Sequence, residues 1–347
     1  MHSWTHESGS VKGDQLLMAT EVSRGDATAF AVVGRAQHKN RVQRIMSFLS
    51  DWPVLPIIML SILIVMALLA GTPFWGGVTG FNPELPSLSD RNAEINSDGD
   101  LKSYERAVAR AEKKGEPIPA RPHFWLGADQ FGRDILTRIM KGAQISLIIL
   151  TIAVTVGMVF GTTYGVAAGY FGGYLDEVLM RALDVYFSIP FILLALVAVI
   201  VFGQSITVML VLLALLAWPP FVRNVRAEVL SLKEREYVSA ARATGASDVW
   251  IMWKHIVPNV INTVIVIATL RVGQLILSEA ILSFLGAGVP PPTPTWGAMV
   301  AEGRDYLASA WWISFFPGVM IFLLVMSLNF IGDWFRDRFD PRLRNSV

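Results

Sequence analysis

The sequence predicts an all-α polytopic membrane protein with six spanning helices and both termini in the cytoplasm. Three observations carry this reading. The 347 residues are 53% hydrophobic and only 16% charged, against about 25% charged residues in soluble domains. The apolar residues are gathered into six runs, each near the roughly 20 residues that a spanning helix takes. Lys and Arg gather in alternate connections between those runs.

Taken in order, residues 1–45 read as a polar, disordered cytoplasmic tail. Met1 to Asn40 carries no apolar stretch followed by a cleavage site, so a cleaved secretory signal is not expected. The first span lies within 46–71, its apolar part running from Trp52 to Gly71. Residues 72–141 form an external loop with a charged insertion at 82–121. Leu101 to Lys114 reads as a short solvated helix in that insertion. Its charge run fits an exposed insertion, or a docking surface for an external partner. A five-helix core follows at 142–335, with spans over Gln144–Gly169, Val178–Phe202, Ile206–Val222, Val260–Leu285 and Ile313–Trp334. The tight link Gly203-Gln204-Ser205 makes the third and fourth spans an antiparallel hairpin. Residues 336–347 form a second cytoplasmic tail.

Orientation follows the basic residues. Lys39, Arg41 and Arg44 precede the first span. Arg223, Arg226, Lys233, Arg235, Arg242 and Lys254 lie between the fourth and fifth, and Arg336, Arg338, Arg342 and Arg344 follow the sixth. With six spans, all three groups fall on one side.

Several function classes are excluded. A net charge of +1 leaves no basic face for nucleic acid. The chain has no cysteine, and its five histidines form no ligand cluster, so no metal site is expected. It lacks the phosphate loop that would let it use ATP by that route, and the His-Glu-x-x-His and Gly-x-Ser-x-Gly patterns of intramembrane hydrolases.

The stretch from Tyr237 to Asn259 is polar and rich in small residues, yet lies between two apolar spans. Ala240, Ala241 and Ala243 favour a helix. Gly245 ends or bends it. Ser247 caps a second helix, Asp248 complements its dipole, and Pro258 suits the start of the fifth span. Trp250 and Trp253 share a face. Geometry alone fits an amphipathic helix at the headgroup level as well as a docking element for a soluble protein.

The pattern from Ala240-Ala241 through Gly245 to His255-Ile256-Val257-Pro258 resembles the EAA loop of ABC importer permeases, with Ser239 where the family carries Glu. Three further stretches narrow the likeness: His123 to Arg138 with Lys141 to Leu147, Ser283 to Met299 with Glu302-Gly-Arg304, and Asp340-Pro-Arg342. Together they resemble the C-type permease subunit of dipeptide, oligopeptide and nickel importers, over roughly residues 40 to 345. The resemblance implies a type I importer permease in a bacterial inner membrane. It also implies a homologous B-type permease, two ATP-binding subunits that hold ATP and Mg, and an extracytoplasmic solute-binding protein as partners. No cofactor is implied for this chain itself. The cargo implied is peptides, with nickel chelates, glutathione or opines as alternatives. The coupling residues implied are Ser239, Ala240, Ala241, Gly245, Ala246, Ser247, Asp248 and Pro258. An ion-coupled secondary transporter is the rival class. It accounts for the spans but not for the long polar helix pair, and no internal repeat is evident.

Charged groups at membrane depth usually face protein or a cavity. Asp184, Arg271 and Glu279 are therefore candidates for a translocation path, or for contacts between helices. Asp129, Arg133, Asp134, Trp296, Glu302 and Arg304 are candidates for an external gate or a binding-protein contact. Gly157, Gly161, Gly165 and Gly169 recur every four residues and read as a close-packing face.

Overall fold

The computed structural model describes residues 53–70, 82–115 and 121–339. The N-terminal tail with Lys39, Arg41 and Arg44, the residues flanking the first apolar helix, and Asp340-Pro-Arg342 with Arg344 lie outside them. The described chain is almost wholly helical. In order it comprises α1 (Val54–Leu69), β1 (Ser97–Asp98), α2 (Leu101–Lys114), β2 (His123–Phe124), α3 (Ile135–Phe171), α4 (Gly173–Ser188) and α5 (Phe191–Phe202). There follow α6 (Ile206–Ala217), α7 (Pro219–Leu232), α8 (Glu236–Ala243), α9 (Asp248–Ile251), α10 (Val257–Phe284), α11 (Trp296–Gly303) and α12 (Trp312–Phe339).

The expectation of six spans is met in part. Among the described residues, four helices are long and apolar enough to cross a membrane: Ile135–Phe171, Ile206–Leu232, Asp248–Phe284 and Trp312–Arg338. The expected third span, Val178–Phe202, is broken: α4 and α5 meet at 74° and count as a fifth span only if taken together. Pro190 causes the break. It has no N–H, and it pushes Ile189 into extended backbone (φ −95°, ψ 119°). Helix α1 has 16 residues and rises roughly 24 Å, short of the roughly 30 Å hydrocarbon core.

The fourth span was expected to end near Val222, yet α6 and α7 continue as one helix to Leu232. Pro219 and Pro220 do not stop it, because Trp218 keeps helical backbone (φ −70°, ψ −33°). Two prolines should orphan the carbonyls four residues earlier, those of Leu215 and Leu216. Neighbouring spans satisfy both. The Tyr186 hydroxyl of α4 donates to Leu215 O at 2.7 Å, and Arg271 Nη2 of α10 donates to Leu216 O. Membrane interiors tolerate helix-breaking residues only with such compensation.

The fifth-span helix starts at Val257 with Pro258 in its first turn, as expected, and runs on from α9. A π turn over Met252–Ile256 joins α9 to α10, and Val257 N–H bonds to Met252 O across it. The widened turn accommodates the missing proline N–H. Asn259 Nδ2 caps the His255 carbonyl at 2.6 Å.

Helix α3 packs closely on the α6–α7 helix. Gly161, Gly165 and Gly169 face Trp218 and α7, and Gly157 faces Ala217 at the end of α6. A Cβ at Gly165 would lie 2.8 Å from Val222 O, and one at Gly169 2.9 Å from Arg226 O. At Gly157 it would strike the Ala217 methyl, and at Gly161 the Trp218 carbonyl. Phe160, Tyr164 and Tyr186 surround Trp218 with ring centroids 5.3, 5.5 and 5.3 Å away.

The charged insertion is built onto the chain. Its first part strings backbone hydrogen bonds along residues 122–131: Asn92 N to Asp129 O at 2.9 Å, Ala128 N to Ala93 O at 2.9 Å and Ser87 N to Phe131 O at 2.8 Å. β1 pairs antiparallel with β2. Helix α2 has the bounds expected for it, capped by Asp100 and ended by Gly115 at φ +68°. At its base the His123 ring and Arg121 meet Asp98 and hold that carboxyl below its usual range, the His123 hydrogen bond being the larger cause.

The glycine face yields a prediction. Gly161→Ala places a methyl against the Trp218 carbonyl and should destabilise by about 1–3 kcal/mol through overpacking. Gly318→Ala meets nothing within 4 Å and should be neutral or stabilising by up to about 1 kcal/mol. Thermal unfolding of the detergent-solubilised protein tells them apart. Equal shifts would rule out the close-approach reading.

Candidate functional site

Three places gather chemistry-bearing side chains: the polar helix pair, a cavity between α7 and α10, and a clasp at the insertion end.

The helix pair folds as its sequence suggests. α8 ends in a Schellman turn: Gly245, at φ +86°, bonds to Arg242 O at 3.1 Å, and Ala246 N bonds to Ala241 O at 3.1 Å. Ser247 then caps α9 through Trp250 N. Val238, Ile251 and Ile256 turn inward onto Phe221, Val225 and Val229 of α7. The other face is left open: Val249 is 60% exposed, Trp250 49% and Trp253 71%. Of the predicted coupling residues, Ser239, Ala240, Gly245, Ser247, Asp248 and Pro258 are exposed, while Ala241 and Ala246 are half-buried.

Sequence reasoning missed how this element is tied to α3. The Tyr170 hydroxyl, at the end of α3, donates to Asp248 Oδ1 at 2.7 Å. The Arg242 guanidinium lies over the Tyr170 ring at 6.0 Å, and the Tyr170 hydroxyl pushes the already high Arg242 pKa up. Close by, Arg226 of α7 holds Asp176 of α4 through two bonds of 2.5 and 2.6 Å. The clue in the sequence was Tyr170 one residue beyond the glycine series, at the edge of an apolar run.

Beside this element lies a cavity of about 900 Å³, lined by Pro220, Asn224 and Glu228 of α7 and by Asn259, Asn262, Thr263, Arg271 and Gln274 of α10, with Arg235, Tyr237 and Arg336 at one end. Of the three candidates for a translocation path, only Arg271 lines it. Asp184 is exposed on α4 and pairs with Arg223 at 3.3 Å. Glu279 is buried at 1% exposure. It accepts from Thr295 Oγ1 at 2.7 Å and Ser283 Oγ at 3.1 Å, so it joins α10 to the start of α11. Eight residues separate it from Arg271, yet the two face different surroundings. Glu228 and the amides were missed as path candidates. Their signal was a run of polar residues near helical spacing: Asn224 and Glu228 on one helix, Asn259, Thr263, Arg271 and Gln274 on the other, interrupted by Ile267.

At the insertion end, four charges from three places meet. Arg133 Nε donates to Asp129 Oδ2 at 2.6 Å and its Nη2 to Glu302 Oε2 at 3.0 Å. Arg138 Nη1 also bonds to Asp129 Oδ2 and lies 3.0 Å from Glu302 Oε2. Asp134 caps α3, accepting from Thr137 N at 2.7 Å and Thr137 Oγ1 at 2.6 Å. Burial raises its pKa, with the Thr137 bonds opposing. Trp296 Nε1 donates to Ile139 O at 3.0 Å. Four of the six residues expected at a gate or partner contact are thus turned inward: Asp129, Arg133, Asp134 and Trp296 are all buried. Asp129, Arg133 and Trp296 bond within the chain, and Asp134 does so through Oδ2. Arg304 is exposed, over the Phe284 ring at 4.7 Å. Arg138, absent from the expected set, completes the clasp.

Arg138→Met should cost about 3–5 kcal/mol, because it strands buried carboxylate charge. Arg304→Ala, at an exposed pair, should cost under about 1 kcal/mol. Chemical denaturation of both variants measures the difference; similar losses would contradict the clasp.

Comparison with known proteins places the chain. The family described as "Binding-protein-dependent transport system inner membrane component" matches residues 161–345. The chain is 46% identical over 226 residues to the glutathione transport system permease protein GsiD of Salmonella paratyphi A, covering 65% of this chain and 74% of that protein. It is 43% identical over 226 residues to the protein of that name from an Escherichia coli O6:K15:H31 strain, with the same coverage. Among solved structures, the inward-facing MetNI methionine ABC transporter aligns with a TM-score of 0.47 at 22% identity, covering 56% of this chain and 93% of that one. The chain is thus a multi-pass inner-membrane protein. It belongs to the binding-protein-dependent transport system inner membrane component family, as an ABC importer permease subunit of the dipeptide, oligopeptide and nickel type.

Proposed function

We propose that this chain is one of two permeases lining the pathway of an ATP-driven importer of small peptides, including peptides of the glutathione kind that its relatives are named for. A homologous permease closes the open side of the cavity. Two ATP-binding subunits, which hold ATP and Mg, seat on the open face of α8 and α9. An extracytoplasmic binding protein delivers cargo at the insertion end. Both termini lie in the cytoplasm.

One observation carries the reading: the open face of the helix pair and the polar cavity are built on the same two helices. α7 and α10 line the cavity; the short turn 233–235 joins α7 to α8, and a π turn joins α9 to α10. A push on Val249, Trp250 and Trp253 is therefore delivered to the cavity wall. The glycine face and the Tyr170–Asp248 bond carry α3 along, so the moving body comprises α3, α7 and the start of α10. The bistable element is the interface between this body and the second permease, biased by nucleotide in the ATP-binding subunits.

The test is ATP-dependent uptake of trialanine and glutathione into vesicles holding the full assembly. Gly245→Val forces a β-branched residue to φ +86°, a strain of about 1–3 kcal/mol. Uptake should fall about tenfold or more, while ATP hydrolysis and membrane insertion persist. Wild-type uptake would sink the coupling role. Tyr170→Phe should lower peptide carried per ATP, with folding unaffected beyond the roughly 1 kcal/mol of one hydrogen bond. An unchanged ratio removes α3 from the moving body.

A further inference from the structure

Helix α2 carries a basic stripe that the fold itself does not use. Lys102, Arg106, Arg110 and Lys113 follow at intervals of four, four and three residues. At 3.6 residues per turn they fall within about 80° around the helix. All four are exposed, and none makes a hydrogen bond or an ion pair among the described residues. Tyr104 and Val108 are half-buried and Ala111 is buried. These three occupy the opposite side, so the stripe looks away from the chain. Five basic and two acidic residues give the helix a charge of +3, in a chain of net charge +1. Like charges four residues apart destabilise a helix, so the stripe does not serve the helix that bears it.

The stripe is held in place. Ser103 Oγ in the first turn of α2 donates to Ser89 Oγ at 2.8 Å, and Asp100 N donates to Asp90 Oδ1 at 2.7 Å. Arg121 Nη2 donates to Gly99 O at 3.0 Å. The insertion is in turn bonded to the residues just before α3. Helix α3 begins at the clasp and ends beside Tyr170, which holds Asp248 of the helix pair. Its 37 residues rise roughly 55 Å. The insertion and the open face of α8 and α9 therefore stand at opposite ends of one helix.

Anionic lipid is the weaker occupant. A helix that lies on lipid turns an apolar face to it. Beyond Leu101, the exposed residues of α2 are Lys, Arg, Glu and Ala, and its Tyr and Val are turned to the chain. The family is one that depends on a binding protein, and in the importer that protein arrives on the side away from the ATP-binding subunits. We propose that Lys102, Arg106, Arg110 and Lys113 receive an acidic face of the extracytoplasmic binding protein, matched to the stripe's length of roughly 17 Å. This rests on the importer reading above and adds where, and by what charge, the binding protein is received.

Binding of the system's own binding protein to the complete assembly of both permeases and the ATP-binding subunits, in vesicles of phosphatidylcholine, tests it. The wild-type association rate should fall about tenfold or more from low to high salt. Replacing the four residues together, Lys102→Gln, Arg106→Gln, Arg110→Gln and Lys113→Gln, should lower the low-salt rate about tenfold or more and flatten its salt dependence, with dissociation changed far less. Glu105→Gln with Glu112→Gln, which removes the acids beside the stripe, should raise the rate. An association rate indifferent to the four substitutions overturns the proposal. So does a loss seen only when phosphatidylglycerol is mixed into the vesicles, which makes the stripe a lipid contact. Wild-type uptake of trialanine and glutathione separates the two readings. ATP-dependent uptake with an association rate indifferent to the stripe leaves the importer standing and removes the docking stripe; no ATP-dependent uptake of either peptide removes both.

Discussion

The close approach of α3 and α7 is the constraint on which the rest depends. Three glycines, Gly161, Gly165 and Gly169, let the backbone of one helix lie on the carbonyls of the other, and Gly157 extends the contact to Ala217. Helices in lipid gain little from hydrophobic burial against each other, so packing and polar contacts must hold them. At this contact the packing is continuous from Ala217 to Val229. It sets where α7 leaves the bundle, and hence where α8 and α9 are held. It also brings Tyr170 within reach of Asp248.

The second constraint is that carbonyls freed by proline at membrane depth need partners. Pro219 and Pro220 free two carbonyls, and the fold answers with a hydroxyl from α4 and a guanidinium from α10. The proline pair thus becomes a junction of three helices. Arg271 thereby holds the backbone of α6 with one nitrogen and the Gln274 side chain with another.

Charge is handled differently at the two ends. At the insertion end, Asp129, Arg133, Arg138 and Glu302 neutralise one another within the chain and lock the segment before α3 to α11. Such a quartet is costly to desolvate and gives register and rigidity rather than net stability. At the other end the helix pair leaves valine and tryptophan side chains uncovered. A rigid end and an open end suit a subunit that is pushed from one side and must keep its shape at the other.

The local readings lay in the sequence. Alanines, Gly245 and Ser247 determine the helix pair, because propensity, a left-handed glycine and a cap act over a few neighbouring residues. The bounds of α2 and the packing role of the glycine series were legible for the same reason. The family was legible because its motifs are short and ordered along the chain. What only the tertiary structure decided is where side chains distant in sequence meet. Pro190 breaks a span while Pro219 and Pro220 do not; at the pair, Tyr186 and Arg271 hold the freed carbonyls. Trp296 looked like a surface contact but is buried, because its partner Ile139 sits far along the chain; Asp129 is buried between Arg133 and Arg138. Arg271 and Glu279 share a helix and a spacing, yet one faces a cavity and the other Thr295. Helical periodicity tells which residues share a face; only the packing of the other helices tells what that face looks upon.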